Sequence, residues 1–108
     1  MTYEPKERQI LDQVFAALHG HYGERLSKVV LFGSRARRDH APDSDYDLLV
    51  VLKGEVSGPA ERKALHELIY PIDYANDTLV FCLAMPEHRY EREKSPLLLN
   101  VRKEGVLL

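Results

Sequence analysis

The stretch from residue 31 to residue 50 constrains the fold of this chain more than any other part of the sequence. An apolar run leads into Gly33-Ser34, a basic segment and a polar loop follow, and Asp45-x-Asp47 then opens a second apolar run. Apolar runs bounded by glycine and polar residues indicate strands, and the basic segment is long enough for one short helix. The sequence therefore predicts a strand, a helical turn and a second strand, with Gly33-Ser34 and Asp45-x-Asp47 on adjacent elements.

The chain has the length of one domain with a modest core. It contains 108 residues, of which 44% are apolar. A chain of this size has no spare length for a second core, so we expect a single domain over residues 1–108. The formal net charge is −2. No overall basic field therefore favours nucleic acid as a stable direct partner.

Cysteine content and apolar run lengths predict the cellular context. Cys82 is the single cysteine, so no disulfide forms within the chain, and its apolar neighbours over residues 79–84 predict burial. The N-terminal residues lack the basic and apolar regions of a signal peptide. No apolar run approaches the roughly 20 residues that a membrane span requires. These features predict a cytoplasmic protein without membrane association.

Apolar spacing and glycine or proline boundaries predict the order of elements. The non-alternating apolar run over residues 29–32 indicates a strand covered on both faces, and hence an α/β arrangement. Pro71 is expected to end or kink the second long helix. The predicted elements are a helix over Pro5–His19 that stops at Gly20, a strand over Leu26–Phe32, a short helix over Ser34–Arg38 with Ser34 as N-cap, a strand from Asp45 to Leu52, a helix from Pro59 to about Ile69, a strand over Thr78–Ala84, a helix over Glu87–Lys94 and a last helix from Ser95-Pro96 to Gly105.

The Gly33-Ser34 turn and the arginines after it are candidate phosphate ligands. Glycine lets the backbone approach a phosphate closely, and a helix N-terminus offers free N–H groups and the positive end of a dipole. Ser34 adds a hydroxyl, and Arg35, Arg37 and Arg38 add positive charge. An ordinary capped helix with a solvated basic face is the alternative. Gly33, Ser34, Arg35 and Arg37 are therefore candidate nucleotide-binding residues, and from these residues alone both interpretations stay open.

Asp45 and Asp47 are candidate catalytic residues and metal ligands. Residues two apart on a strand point to one face and lie about 6.5–7 Å apart along it, so both carboxylates can reach a Mg²⁺ ion between them. Two neighbouring carboxylates repel each other unless a cation compensates their charge. Tyr46 is expected to point to the opposite face and to pack there. Solvated carboxylates at a strand edge remain the alternative.

The combined pattern resembles the minimal nucleotidyltransferases of the DNA polymerase beta superfamily. Their signature is Gly-Ser, about ten residues, then Asp-x-Asp, and Gly33-Ser34 and Asp45-x-Asp47 match it within a likeness that spans roughly residues 8–108. The resemblance implies a nucleotidyltransferase fold, in which helices flank a small mixed β-sheet.

The resemblance also implies a reaction. Gly33 and Ser34 would contact the β- and γ-phosphates of ATP or another nucleoside triphosphate, and Asp45 and Asp47 would bind Mg²⁺ or Mn²⁺. An acceptor hydroxyl would then attack the α-phosphorus and release pyrophosphate.

The sequence departs from the family pattern at two points. Arg38 stands where the family often has glycine. Complete enzymes also place a third carboxylate on the following strand, whereas the strand predicted over Thr78–Ala84 contains no acid. Asp77 at its start and Asp73 just before it are the candidates for a third acid. Absence of a third acid is the favoured interpretation, and it weakens the prediction of catalysis.

The resemblance also suggests a partner, because minimal nucleotidyltransferases are frequently paired with a helical HEPN-domain protein as the antitoxin of a toxin–antitoxin module. Three hypotheses follow. The chain transfers AMP or another nucleotide to a hydroxyl of that partner; or it is a catalytically degenerate module that neutralises the partner by contact; or it is an unrelated α/β domain with structural carboxylates. Self-association into a homo-oligomer is compatible with each.

Overall fold

The fold is a four-stranded mixed sheet with helices on both faces. It is seen in a computed structural model that describes residues 3–108, so Met1 and Thr2, which begin the N-terminal stretch considered above, lie outside the description. The helices are α1 (Pro5–Tyr22), α2 (Ser34–Arg37), α3 (Gly58–Asn76), α4 (Glu87–Arg92) and α5 (Pro96–Glu104), and the strands are β1 (Leu26–Phe32), β2 (Tyr46–Leu52), β3 (Val80–Pro86) and β4 (Val106–Leu107).

The strand order is β3-β2-β1-β4. The pairs β1–β2 and β1–β4 are antiparallel, and β2–β3 is parallel. This arrangement confirms the mixed sheet flanked by helices that the family resemblance implied. It also places the end of β1 beside the start of β2, where the two halves of the motif lie.

Both central strands are covered on both faces, as their non-alternating apolar runs predicted. On one face, Leu48 and Val50 of β2 pack in a core shared with α1 and α3. On the other face, Leu49 and Val51 pack against Leu98 and other residues of α5. Alternate residues of β2 therefore bury into two separate cores, which fixes the register of the strand.

Two helices are longer than predicted. Helix α1 passes through Gly20 and ends at Tyr22, and its C-cap is Gly23, whose φ of 56° suits glycine. Helix α3 continues through Pro71 to Asn76, although an internal proline costs about 3 kcal/mol. Ile69 before the proline is buried in the core, and the buried Asn76 after it donates hydrogen bonds to Gln13 and to the Ile72 carbonyl. Packing on both sides therefore holds the last turns of α3 in place.

Smaller differences lie at the element ends. Gly33, not Ser34, is the N-cap of α2, and Ser34 is its first residue. Strand β3 begins at Val80 rather than Thr78 and includes Pro86. The two-residue strand β4 was not predicted, because so short a strand has no periodic pattern. In the described part of the chain, every helix is too short or too polar to cross a bilayer.

Candidate active site

Gly33 brings the two halves of the motif into contact. It connects β1 to α2, and its φ of 77° and ψ of −159° lie in a region that is essentially restricted to glycine. Phe32 is the cross-strand partner of Asp47, and a Cβ atom on Gly33 would overlap the Asp47 carboxylate. This position therefore requires glycine both for its backbone conformation and for its missing side chain.

Substituting alanine for Gly33 should destabilise the protein more than the same change at Gly54. Both glycines have a positive φ, 77° and 79°, but the Cβ position of Gly54 is open. We expect strain of about 1–3 kcal/mol at both sites. At Gly33 a further cost of about 1–3 kcal/mol arises because the Asp47 carboxylate must move. Urea denaturation of both variants tests this, and equal losses in the free energy of unfolding would contradict it.

Asp45 and Asp47 differ in burial and in charge environment. Asp45 is exposed immediately before β2, whereas Asp47 is half-buried within it. Burial raises the pKa of Asp47, the negative charge of Asp45 raises it further, and Arg37 opposes both effects. The pair therefore carries negative charge that the surrounding protein compensates only in part, which favours a bound cation.

A cleft of about 810 Å³ opens beside the two acids. It lies between α3 and the starts of β2 and β3, and its lining combines three carboxylates with aromatic and apolar side chains. Its charged and aromatic lining residues are Asp45, Asp47, Arg62, His66, Tyr70, Asp73, Tyr74 and Phe81. The candidate acids thus form one end of a cavity large enough for a nucleotide-sized ligand.

Asp73, rather than Asp77, is the further acid in this cleft. Because α3 continues through Pro71, Asp73 lies on its last turns. Burial raises the pKa of Asp73, a hydrogen bond from the Val80 N–H opposes this, and Asp45 raises it further. Asp77 is exposed at the C-cap of α3 with a φ of 49°. It lines a separate cavity, which lies between α1 and the loop before β2. The structure therefore does not bring Asp77, the third acid named from the sequence, to the Asp45-x-Asp47 pair.

The three acids of the cleft are near each other but are not gathered into one cluster. Within residues 3–108, the carboxylates of Asp45, Asp47 and Asp73 do not all lie within 4.8 Å of one another. Phe81 is the parallel-strand partner of Asp47, so both side chains project from the same face of the sheet. Phe81 is 53% exposed. The residue of β3 that lies beside Asp47 is thus an aromatic residue and not an acid.

The three arginines of the basic segment point in different directions. Arg35 was predicted to bind nucleotide, but its buried guanidinium pairs with Glu7 of α1 at 2.9 Å on the other side of β2. Arg38 has a φ of 65° and also pairs with Glu7 at 2.9 Å. Arg37 is exposed, close enough to affect the pKa of Asp47, and pairs with Glu104 of α5 at 3.2 Å. Of the three arginines in the basic segment, Arg37 is therefore the one that lies beside the candidate site.

Glu7 and Glu104 are the two contributors that sequence analysis missed. Glu7 is buried and accepts hydrogen bonds from Arg35 and Arg38. A signal for it exists, because Glu7 lies three residues before Ile10 on the apolar stripe of α1. Glu104 accepts a 3.3 Å hydrogen bond from the Gly33 N–H. No local pattern predicts that contact, since 71 residues separate the partners.

Comparison with known proteins identifies the family. Residues 11–101 match the sequence profile of the nucleotidyltransferase domain family. The chain belongs to the nucleotidyltransferase family. A protein from Methanocaldococcus jannaschii, provisionally named a protein adenylyltransferase, is 40% identical over 45 residues, which are 42% of this chain and 45% of that relative. The alignment thus spans less than half the length of the relative.

Solved structures support the same fold. A structure from Sulfolobus solfataricus, provisionally named a nucleotidyltransferase, has 24% identity and a TM-score of 0.63, covering 94% of this chain and 80% of that chain. A structure of a tri-AMPylated Shewanella oneidensis HEPN toxin in complex with MNT antitoxin has 19% identity and a TM-score of 0.54, covering 94% and 67%. At these identities the likenesses establish the nucleotidyltransferase fold alone.

The residues of the candidate site suit a divalent cation. Asp45 and Asp47 supply hard carboxylate oxygens of the kind that Mg²⁺ binds. Burial and the negative charge of Asp45 raise the pKa of Asp47, so its charged form is disfavoured unless a positive charge, such as a cation, lies next to it. A second group of potential ligands, Glu4, Glu7 and His40, also converges. There the Glu7 charge is already compensated by two arginines, so that group does not need a metal.

Proposed function

We propose that this protein is a Mg²⁺-dependent nucleotidyltransferase that moves a nucleoside monophosphate, AMP from ATP in the first instance, to a hydroxyl group of a partner protein. The contact between Gly33 and the Asp47 carboxylate is the observation that carries the proposal. It places the Gly33-Ser34 turn, at the start of α2, against a pair of carboxylates at the end of a nucleotide-sized cleft. That combination serves to hold a triphosphate together with a divalent cation.

Each residue of the site has a role in the proposed reaction. The Gly33-Ser34 turn binds the β- and γ-phosphates, and exposed Arg37 adds positive charge next to them. The acceptor oxygen forms a bond to the α-phosphorus while the bond from that phosphorus to the bridging oxygen breaks, so pyrophosphate leaves. The hydroxyl proton passes to a carboxylate of the cleft. Mg²⁺ held by Asp45 and Asp47 would neutralise charge on the attacking and leaving oxygens.

Asp73 is proposed as the cleft carboxylate that accepts the proton of the acceptor hydroxyl. Its raised pKa, due to burial and to Asp45, suits a group that accepts a proton near neutral pH better than an ordinary carboxylate does. Asp73→Asn should lower the rate of transfer about 10- to 100-fold, because asparagine still accepts the Val80 hydrogen bond but cannot take up the proton. Asp77→Asn is the matched control on the same helix end, and its rate should stay within about twofold. Equal rates for the two variants, measured as pyrophosphate release, would remove Asp73 from the mechanism.

The proposed partner is a HEPN-type protein, and the toxin–antitoxin setting comes from the Shewanella complex described above. An exposed aromatic surface beside the acids supports a protein acceptor. Tyr70 and Tyr74 are 58% and 80% exposed and their ring centroids lie 6.4 Å apart. Leu79 and Phe81 extend the surface across the start of β3. A toxin–antitoxin pair acts in the cytoplasm, where ATP is available, so we place the protein there.

A second candidate is a binding module that has lost turnover and neutralises its partner by contact. The position of Phe81 beside Asp47 favours it, because complete enzymes carry a carboxylate on this strand. In that case the cleft would keep affinity for nucleotide or cation. The aromatic surface would then supply the neutralising contact.

One experiment separates the two candidates. The purified chain is incubated with Mg²⁺, each of the four labelled nucleoside triphosphates in turn, and a purified candidate partner protein of the HEPN type. Intact-mass analysis and size-exclusion chromatography are then applied. Label on the partner over several turnovers supports the enzyme, whereas a stable complex without label for any nucleotide supports the binding module. Neither label nor complex would overturn both.

A further inference from the structure

Arg35 connects α1 to the loop that delivers Asp45. Its three guanidinium nitrogens each have a different partner: Nε donates to the Ser44 carbonyl at 3.0 Å, Nη2 to the Pro42 carbonyl at 3.2 Å, and Nη1 to Glu7 at 2.9 Å. The guanidinium carbon also lies 3.9 Å from the centre of the Tyr46 ring. One side chain therefore contacts both residues that flank Asp45.

Asp45 needs external positioning more than Asp47 does. Asp47 lies inside β2, and the pairing of Phe32 with it fixes its backbone. Asp45 precedes β2, is exposed, and follows the irregular loop over residues 39–44. The loop has one internal turn, closed by hydrogen bonds between Ala41 and Ser44. Contacts of Asp39 and His40 hold the first part of the loop, and the bonds from Arg35 hold its second part, at Pro42 and Ser44.

We infer that the Glu7–Arg35 ion pair positions the metal-binding carboxylate of Asp45. Glu7 fixes the guanidinium from α1, and the fixed guanidinium holds Ser44 and Tyr46 so that Asp45 faces the same ion as Asp47. Arg35 thus acts from the opposite side of β2 and touches neither nucleotide nor metal. The inference rests on the proposed function only in taking Asp45 and Asp47 as the metal ligands.

The arrangement of bonds favours positioning over a purely stabilising role. A buried ion pair is a poor source of net stability, because desolvation of both charges consumes most of its Coulombic gain. An apolar pair of similar volume would fill the same space without that cost. The planar guanidinium of Arg35 instead donates hydrogen bonds to the Pro42 and Ser44 carbonyls of one loop. An apolar side chain cannot provide such directed contacts.

Mn²⁺ binding to the isolated chain tests the inference without nucleotide or partner. Arg35→Lys keeps a positive charge opposite Glu7 but cannot reach Glu7 and both carbonyls together. Loss of groups that orient metal ligands typically weakens metal binding about 10- to 100-fold, so the Kd for Mn²⁺ from electron paramagnetic resonance should rise at least about 10-fold. Arg38→Gly is the control, since it removes the other guanidinium from Glu7 and suits the φ of 65°. Its Kd should stay within about twofold.

Glu7→Asp supplies a second test at the other end of the ion pair. It keeps a negative charge opposite Arg35 but withdraws the carboxylate by one methylene group, so the guanidinium is no longer fixed. Its Kd for Mn²⁺ should also rise, even if Arg35→Lys does not fold. Equal Kd values for wild type and Glu7→Asp, or equal increases in Arg35→Lys and Arg38→Gly, would overturn the inference. Failure of the proposed function gives a different result. The wild-type protein then either binds no Mn²⁺ or binds Mn²⁺ but transfers no nucleotide.

Discussion

Replacing Asp45 and Asp47 together with asparagine is expected to lower nucleotidyl transfer about 100- to 1000-fold while the protein stays folded. In the proposed mechanism, the substitution removes the cation that these carboxylates would hold and with it several kcal/mol of charge stabilisation in the transition state. Each 1.36 kcal/mol corresponds to about a factor of ten in rate. The measurement is the initial rate of label transfer under saturating Mg²⁺ and ATP. The Kd for Mn²⁺ should rise in parallel.

The same substitution should not reduce the free energy of unfolding. Burial and the neighbouring Asp45 charge raise the pKa of Asp47, which means that its charged form is disfavoured in the folded protein. Removing both charges therefore relieves repulsion, and the urea midpoint should stay equal or increase. Asp43→Asn is the control, because Asp43 is an exposed acid of the same loop outside the cleft. Loss of transfer in that variant, or unfolding of the double variant, would contradict the assignment.

The sequence was sufficient for the parts of the site that local rules determine. Strand β1 was predicted with its observed bounds, because its non-alternating apolar run is unambiguous. Gly33-Ser34 was placed directly after the first strand and Asp45-x-Asp47 at the start of the second. The contact between Gly33 and Asp47 then follows from the antiparallel pairing of β1 with β2, which the sequence did not predict.

The parts that were missed depend on contacts distant in sequence. Pro71 was expected to end α3, which left Asp73 in a loop, but the packing of Ile69 and Asn76 extends the helix and carries Asp73 into the cleft. Arg35 was assigned to nucleotide because it follows Ser34, yet its direction is set by Glu7, 28 residues away. Neither a proline rule nor a motif contains that information.

Substituting glutamine for Glu7 is expected to cost about 3–5 kcal/mol of stability, because Arg35 is then left buried without its anion. The Glu7 and Arg35 side chains are only 4% and 5% exposed. The free energy of unfolding of a domain is about 5–15 kcal/mol, so the thermal and urea midpoints of this variant should fall sharply. Asp12→Asn is the control on the same helix: its pair with Arg8 is 65% exposed on both sides, and such pairs contribute about 0–1 kcal/mol. Equal effects of the two substitutions would show that leaving Arg35 buried without its anion carries no large cost.

Acid titration distinguishes the Glu7 charge from its packing. Burial alone would raise the pKa of Glu7, but hydrogen bonds from Arg38, from the Glu4 N–H and from Arg35 outweigh it and lower the pKa from 4.5 to about 2. Between these values the unfolded chain binds more protons than the folded protein, so stability must fall as the pH falls through this interval. The wild type should lose about 3 kcal/mol between pH 4.5 and pH 2 from this group. The stability of Glu7→Gln should lack the pH dependence that is due to Glu7. If the free energies of unfolding of the two proteins changed in parallel with pH, the lowered pKa of Glu7 would be contradicted.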